Sequence, residues 1–298
     1  MTIPSCSVLV TGSTGKQGGA VVRRLLARGH SVRALTRKPD SAAAHRLREL
    51  GVEVVIGSME DRASMLRATA GVDAVFLVTT PFESGHESEC WQGRSVADAA
   101  KASGVRHLVY SSVPQARHRT GVPLFEAKAS VEAYIQSCGI PYTIVAPAFF
   151  MENLSGPYYL PGFHEGRFTI PLSPACNLQM ISVDDVAAFA TLVLEDGQTF
   201  HKRRIELASA EHNPEEIAQI LTRAMCRKIH YFRTPMQELF AWSKDLAMVY
   251  SCLDHSGTDI DIPALVRSYP QVRWQRLQPW AEAQSWGLLV GERVEEVV

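Results

Sequence analysis

Ser7-Val8-Leu9-Val10-Thr11-Gly12-Ser13-Thr14-Gly15-Lys16-Gln17-Gly18-Gly19-Ala20-Val21-Val22-Arg23-Arg24-Leu25-Leu26 is the stretch that decides the fold. Its first five residues are a short apolar run of strand type. Its last seven place apolar residues at helical spacing. Between them stand Gly12, Gly15 and Gly18. A strand, a glycine turn and a helix in that order form a phosphate cradle. Glycine lets the backbone turn tightly and approach an anion with no Cβ in the way, and the helix start offers unpaired N–H groups and a positive dipole end. A purely structural turn would show the same glycines; the strand before and the helix after favour the cradle. The spacing is G-x-x-G-x-x-G, not the usual dinucleotide fingerprint G-x-G-x-x-G. It is not a P-loop, because Gln17 follows Gly15-Lys16 where Ser or Thr is required, and Val10 holds the upstream glycine position.

The next signal lies at the end of the second apolar run, Ser31-Val32-Arg33-Ala34-Leu35. A fold that binds NAD normally places an acid about twenty residues after the glycines, to hold the ribose 2′-hydroxyl. Here Thr36, Arg37 and Lys38 occupy that place, and the first acid is Asp40, beyond Pro39. A carboxylate would repel a 2′-phosphate, whereas a guanidinium grips one through paired charge-assisted bonds. The pattern therefore predicts NADP(H). A solvated basic loop is the bland alternative.

Strand-type runs recur at Val8–Thr11, Val32–Thr36, Val52–Ile56, Ala74–Val78, His107–Ser111 and Tyr142–Ala146. Helical patterns lie between them, near Gly18–Ala27, Ala42–Leu50, Arg62–Thr69, Cys90–Ala102 and Lys128–Ser137. Strands joined by helical crossovers predict an α/β fold: a doubly wound parallel sheet of Rossmann type. Strand ends in such a sheet face one crevice. That makes Gly12–Gly18, Arg37-Lys38, Ser58-Met59, Thr79–Glu83 and Ser111–Pro114 candidate site segments.

The pattern changes after Pro147. Prolines and glycines cluster through Gly156–Pro174. Ser182-Val183-Asp184-Asp185 reads as a helix start before Val186–Leu194, Ile205–Leu207 as a short strand, and Asn213-Pro214-Glu215-Glu216 as a second helix start. The remainder, to about Trp286, reads as mostly helical. The expected division is a Rossmann domain over 1–153, completed by 177–208, with a smaller C-terminal α+β substrate lobe over 154–176 and 209–298.

A chain of 298 residues with 46% apolar and 20% charged residues has enough material for a substantial core. The net charge of −1 gives no basic excess for nucleic acid or a membrane surface. The six cysteines are scattered with no C-x-x-C pair, which reads as reduced thiols rather than a disulfide frame or zinc site. No charged-then-apolar leader precedes the first strand, and no run reaches the length of a membrane span. A cytoplasmic protein is the expectation.

At this point the chain resembles the NmrA-like family, an atypical branch of the short-chain dehydrogenase superfamily. The residues that carry the likeness are Thr11–Gly19, Thr36-Arg37 with Pro39, Thr79–Ser84, Phe125-Glu126-x-Lys128, Gly139-Ile140-Pro141-Tyr142-Thr143, Phe150-Met151-Glu152-Asn153 and Ser182-Val183-Asp184-Asp185. The likeness extends to human and fungal members of redox-sensor and oxidoreductase kind. The resemblance implies NADP(H) contacts from Gly12, Ser13, Thr14, Gly15, Lys16 and Gln17. It extends them to Arg37, Ser58, Met59, Thr79, Thr80, Pro81 and Lys128, and to Phe150, Met151, Glu152 and Asn153. Two positions depart from the human sensor. Where it has a lysine shortly before a Gln-Gly pair, this chain has Trp91 before Gln92-Gly93. Where it has a second basic residue after the Arg37 loop, this chain has Ser41, with Lys38 nearby as a second cation.

Typical short-chain dehydrogenases place a proton-donating Tyr four residues before a Lys. Here Leu124 stands four before Lys128, and no Tyr-x-x-x-Lys occurs anywhere. Tyr110 is followed by Pro114 where the lysine would be. Phenylpropanoid reductases share the Phe-Glu-x-Lys pattern, which implies Lys128 as the catalytic acid or base; a lysine that only holds the ribose is the alternative. His118 is a further candidate proton carrier. His86 and Glu89 lack a third metal ligand, so no metal is expected. Tyr158, Tyr159, Phe163 and Phe168 either line an apolar substrate pocket or form lobe core. The functional expectation is an NADPH-dependent oxidoreductase acting on a small aromatic or conjugated substrate. The rival is a non-catalytic NADP(H)-sensing regulator acting through a protein partner. A homodimer fits either.

Overall fold

The computed structural model describes residues 5–81 and 85–290. Phe82, Glu83 and Ser84 of the Thr79–Ser84 segment lie outside the described residues, as do Met1 to Pro4.

The first compact unit runs to Pro147 and includes Val183–Glu206. Its elements are β1 (Ser7–Val10), α1 (Lys16–Ala27), β2 (Ser31–Thr36), α2 (Ala42–Glu49), β3 (Glu53–Ile56), α3 (Arg62–Thr69), β4 (Ala74–Val78), α4 (Gly85–Ala102), β5 (His107–Ser111), α5 (Pro123–Cys138) and β6 (Tyr142–Pro147). Helix Val183–Glu195 and strand Arg203–Leu207 follow later in the chain. The sheet has seven strands in the order Arg203–Leu207, β6, β5, β4, β1, β2, β3. The strands from β3 to β6 pair in parallel. This is the doubly wound Rossmann order, with the switch point between β1 and β4. Every residue of β5 and β6 is buried, as expected for strands covered on both faces.

Two helices begin earlier than their apolar patterns. α5 starts at Pro123, where a missing N–H costs nothing, and Glu126 reaches back to accept from the Gly121 N–H at 2.9 Å. It ends on Gly139 at φ +84°, the left-handed conformation that glycine adopts without strain. α4 packs on α5 at Gly93, where a Cβ would meet Val131 at 2.5 Å.

The second unit comprises Ala148–Ser182 and the residues from Leu207 on. Sequence patterns put 148–153 and 177–182 with the Rossmann domain instead. Strand Phe149–Phe150 pairs with Leu178–Ile181, which pairs with Ala210–His212, so these segments share a separate three-stranded sheet. Arg167–Ile170 pairs in parallel with His230–Arg233. The latter strand falls in the stretch read from sequence as helical. Its four residues are too few to display a period. Asn213 caps helix Pro214–Ala224 by accepting from the Glu216 N–H at 3.0 Å. The core gathers Tyr159, Phe163, Phe168, Ile217, Trp280 and Trp286. No helix among the described residues is long and apolar enough to cross a membrane.

Candidate functional site

The glycine turn is fastened to the neighbouring strand. Thr11 donates its hydroxyl to the Val78 carbonyl at 3.0 Å and accepts the Val78 N–H at 2.8 Å. The turn residues divide the work. Gly12 has φ +61°. A Cβ on Gly18 would fall into the Gly12 carbonyl, within 2.9 Å of the Ser13 nitrogen. A Cβ on Gly15 would meet only the Gly12 oxygen, at 3.3 Å, so its outer side is open. Gly12 thus shapes the turn, Gly18 lets α1 pack on it, and Gly15 leaves room for a ligand. α1 begins with no side-chain cap and no acid in its first turn. The buried Ser13 hydroxyl has no hydrogen-bond partner among the described residues. An uncapped helix start, an open approach and no negative charge fit a dinucleotide pyrophosphate. Thr14 and Lys16 are exposed, whereas Gln17 is buried and donates to Ser111 Oγ at 2.6 Å, tying α1 to the end of β5.

Arg37 and Lys38 are exposed after β2, on the same sheet edge as the turn. Ser41 accepts from the Ala44 N–H at 3.2 Å and caps α2. A cap is therefore the local duty of the residue that replaces a base. After β3, Ser64 Oγ binds both the N–H and the carbonyl of Ser58, each at 3.1 Å. Met59 is half-buried against the core. Exposed Trp91 donates its indole N–H to the Glu60 carbonyl at 3.3 Å, and Gln92 binds the Glu60 carboxylate at 2.9 Å. The Gln92-Gly93 pair thus links α4 to the β3 loop through one member and to α5 through the other.

Lys128 enters the interior from α5. Its Nζ lies 2.7 Å from Glu89 Oε1, 2.8 Å from the Thr79 carbonyl and 3.3 Å from Thr79 Oγ1. Thr79 Oγ1 donates to Glu89 Oε1 at 2.9 Å and stands 3.2 Å from the Tyr110 hydroxyl. The Tyr110 ring lies under the ammonium, 5.7 Å from its centroid. Burial pushes the Tyr110 phenol well above its ordinary range, and the Glu89 charge adds to this. The phenol stays neutral. The fold therefore joins a tyrosine to Lys128 although the sequence lacks Tyr-x-x-x-Lys. The sequence marks Glu89 only beside His86 as an incomplete metal pair; its place against Lys128 and Thr79 comes from the fold. Among the described residues no three His, Cys, Asp or Glu side chains converge as metal ligands. Thr80 and Pro81 follow Thr79, and the Pro81 carbonyl accepts the Gly85 N–H that opens α4 at 2.7 Å.

The loop after β5 is held by a second buried network. Glu132, one turn beyond Lys128, accepts from Ser112 and pairs with Arg204 at 2.9 Å. Arg204 also binds the Val113 carbonyl at 2.8 Å. His118 is exposed, and its Nε2 accepts from Arg117 at 2.9 Å.

Phe150, Met151, Glu152 and Asn153 belong to the second unit. Phe150 is half-buried, Met151 lies in that unit's core, Glu152 accepts from the Trp280 indole at 3.1 Å, and the Asn153 carbonyl accepts the Gly156 N–H at 2.8 Å. Of the four aromatic candidates, Tyr159, Phe163 and Phe168 are core. Tyr158 is exposed and stacks on exposed Trp242, with centroids 5.5 Å apart.

The chain is 34% identical over 224 residues to a (4-alkanoyl-5-oxo-2,5-dihydrofuran-3-yl)methyl phosphate reductase of Streptomyces griseus, covering 73% of this chain and 75% of that protein. Its fold is similar to that of NmrA, a negative transcriptional regulator solved with NADP, with TM-score 0.80, 20% identity and coverage of 95% and 99%. It is similar also to an NADPH-dependent quinone oxidoreductase of Escherichia coli solved with NADPH, with TM-score 0.78, 23% identity and coverage of 92% and 98%. The model of the NmrA-like family matches residues 4–261, and the chain belongs to that family.

Proposed function

We propose that the protein is an NADPH-dependent reductase of a small aromatic or conjugated substrate. The observation that carries this reading is the placement of Lys128. Its ammonium is held on Thr79, and Val78, the preceding residue, is hydrogen-bonded to Thr11 at the start of the glycine turn. A proton-carrying group and an anion cradle thus sit at adjacent strand ends of one sheet, the arrangement a hydride-transfer site needs. The 34% identical reductase supports the same class of chemistry.

In this reading the N–H groups of the turn and α1 bind the pyrophosphate. Arg37 and Lys38 take the 2′-phosphate. NADP(H) supplies the hydride when bound. Thr79, Glu89 and Tyr110 orient the Lys128 ammonium, which exchanges a proton with substrate at Nζ. Glu132, Ser112 and Arg204 keep the loop after β5 in place. The test is NADPH oxidation by purified protein across quinones, triarylmethane dyes and enones. Substrate-dependent oxidation is expected.

A second reading rests on Leu124 standing where the usual proton donor would be, and on the fold shared with a transcriptional regulator. There the protein binds NADP(H), does no chemistry and acts through a protein partner. Tight NADPH binding with no oxidation of any panel member would favour it.

A further inference from the structure

We propose that Glu89 is a positioning residue that makes Lys128 a proton donor rather than a base, a proposal that rests on the reductase reading above. Glu89 is 0% exposed and Lys128 is 7% exposed. An isolated charge in such surroundings is strongly disfavoured, so each requires the other. Oε1 of Glu89 takes both the Thr79 hydroxyl and the ammonium; Oε2 has no hydrogen-bond partner among the described residues. If Lys128 gave up its proton to become a resting base, Glu89 would remain as an uncompensated charge inside the sheet. The pair therefore rests as ammonium and carboxylate.

The other polar groups around the ammonium do not change this balance. Tyr110, from β5, is a neutral phenol. Cys90, from α4, directs its thiol to the Ala127 carbonyl at 3.7 Å. Glu132, on the next turn of α5, is paired with Arg204 and bonded to Ser112. Glu89 is therefore the carboxylate on which the Lys128 ammonium rests.

The three hydrogen bonds of the Lys128 ammonium are unequal. Those to Glu89 and the Thr79 carbonyl are 2.7 and 2.8 Å long, while the one to Thr79 Oγ1 is 3.3 Å. The weakest-held proton is the one free to turn to a substrate. The substrate would gain a hydride from NADPH and a proton from Lys128 Nζ, a two-electron reduction in which NADPH is oxidised to NADP⁺. Lys128 regains its proton from solvent, which restores the ion pair with Glu89.

The test uses Glu89→Gln, with Glu89→Asp as a second variant that keeps a carboxylate on a shorter arm. In the cofactor-free full-length protein, amines are acylated with acetic anhydride at neutral pH, and the Lys128 peptide is followed by mass spectrometry. Only an unprotonated amine reacts. Glu89→Gln, which leaves the buried ammonium without its counter-charge, should raise the Lys128 labelling rate by about tenfold or more, and Glu89→Asp should fall between. In parallel, turnover of Glu89→Gln should fall at least about tenfold, with the KM for NADPH within about threefold, and its acid-requiring limb should move to lower pH. Unchanged labelling in both variants overturns the pairing, whatever the turnover. A loss of NADPH affinity equal to the loss of turnover overturns the proton-donor role. Faster labelling in a protein whose unmodified form shows no substrate-dependent NADPH oxidation would instead sink the reductase reading and leave the ion pair standing.

Discussion

Phe125, Glu126 and Lys128 sit within one turn of α5 and have three unrelated duties. Phe125 is core, Glu126 closes the open N–H of Gly121, and Lys128 alone enters the polar cluster. A loss at each would register differently. Lys128→Ala should lower turnover by about 10²–10⁴-fold, the usual worth of a positioned proton carrier, while NADPH affinity falls much less. Steady-state kinetics beside a direct NADPH titration measures both. Equal losses would mean that Lys128 only holds the ribose. Arg37 is the residue for cofactor choice. A charge-assisted bond to phosphate is worth about 1.5–3 kcal/mol, or roughly ten- to a hundredfold in affinity. NADPH should bind tighter than NADH by that order, and Arg37→Glu should erase or invert the difference in a paired titration.

At the scale of elements, the contact of α4 with α5 sets the spacing between Glu89 and Lys128. Gly93 makes that contact. Glycine inside a helix ordinarily costs about 0.5–1 kcal/mol relative to alanine, so Gly93→Ala would stabilise an isolated helix. Here the added Cβ would meet Val131 at 2.5 Å. Overpacking of this kind costs about 1–3 kcal/mol, and it should win. Thermal unfolding of Gly93→Ala should show a lower midpoint, and turnover should fall with it as the ion pair is pushed apart. A raised midpoint would show that the interface has slack.

The strands and helices of the first unit were legible because β5, β6 and their neighbours are short apolar runs with polar turns after them. Helix starts were less so. Pro123 at the head of α5 is a proper signal, but the apolar pattern near Lys128 obscured it. Strand His230–Arg233 owes its existence to Arg167–Ile170, some sixty residues upstream, and no local period marks it. The site divides in the same way. Gly12–Gln17 and Arg37 are local patterns and could be read directly. The Glu89–Lys128 pair spans two helices and Tyr110 comes from a third element, so only the folded sheet brings them together.

Stability of the whole molecule should fall in acid in two stages. His107 is buried at the start of β5, and its Nε2 meets Thr143 Oγ1 at 2.8 Å, whose own proton goes to the Phe200 carbonyl. Burial, with a smaller contribution from His201, pushes its pKa down to about 4. The unfolded chain takes up this proton near pH 6.5, the folded one only near 4. Stability is therefore full above 6.5 and is lost between 6.5 and 4, by up to about 3 kcal/mol. Glu195 continues the loss. Burial pushes its carboxyl up, but hydrogen bonds from Arg28 at 2.8 Å and His30 at 3.0 Å prevail and hold it below 4.5. Its contribution is present above 4.5 and disappears below. His107→Asn should flatten the urea midpoint across the upper window and leave the lower one. An unaltered slope would assign the upper loss to another group.

The first unit is also interrupted. Its sheet is complete only when Arg203–Leu207 comes to lie beside β6, after 35 residues of the second unit, Ala148–Ser182, have intervened. During synthesis this imposes a waiting period. A nascent chain that has emerged only to Pro147 owns a six-stranded sheet whose last strand, apolar on both faces, has an unpaired edge. Such an edge is a template for another copy. The ribosome must add about sixty more residues, roughly three to twelve seconds at 5–20 residues per second, before that edge is covered. A fragment ending at Pro147 should accordingly collect in the insoluble fraction to a greater extent than the full chain expressed beside it.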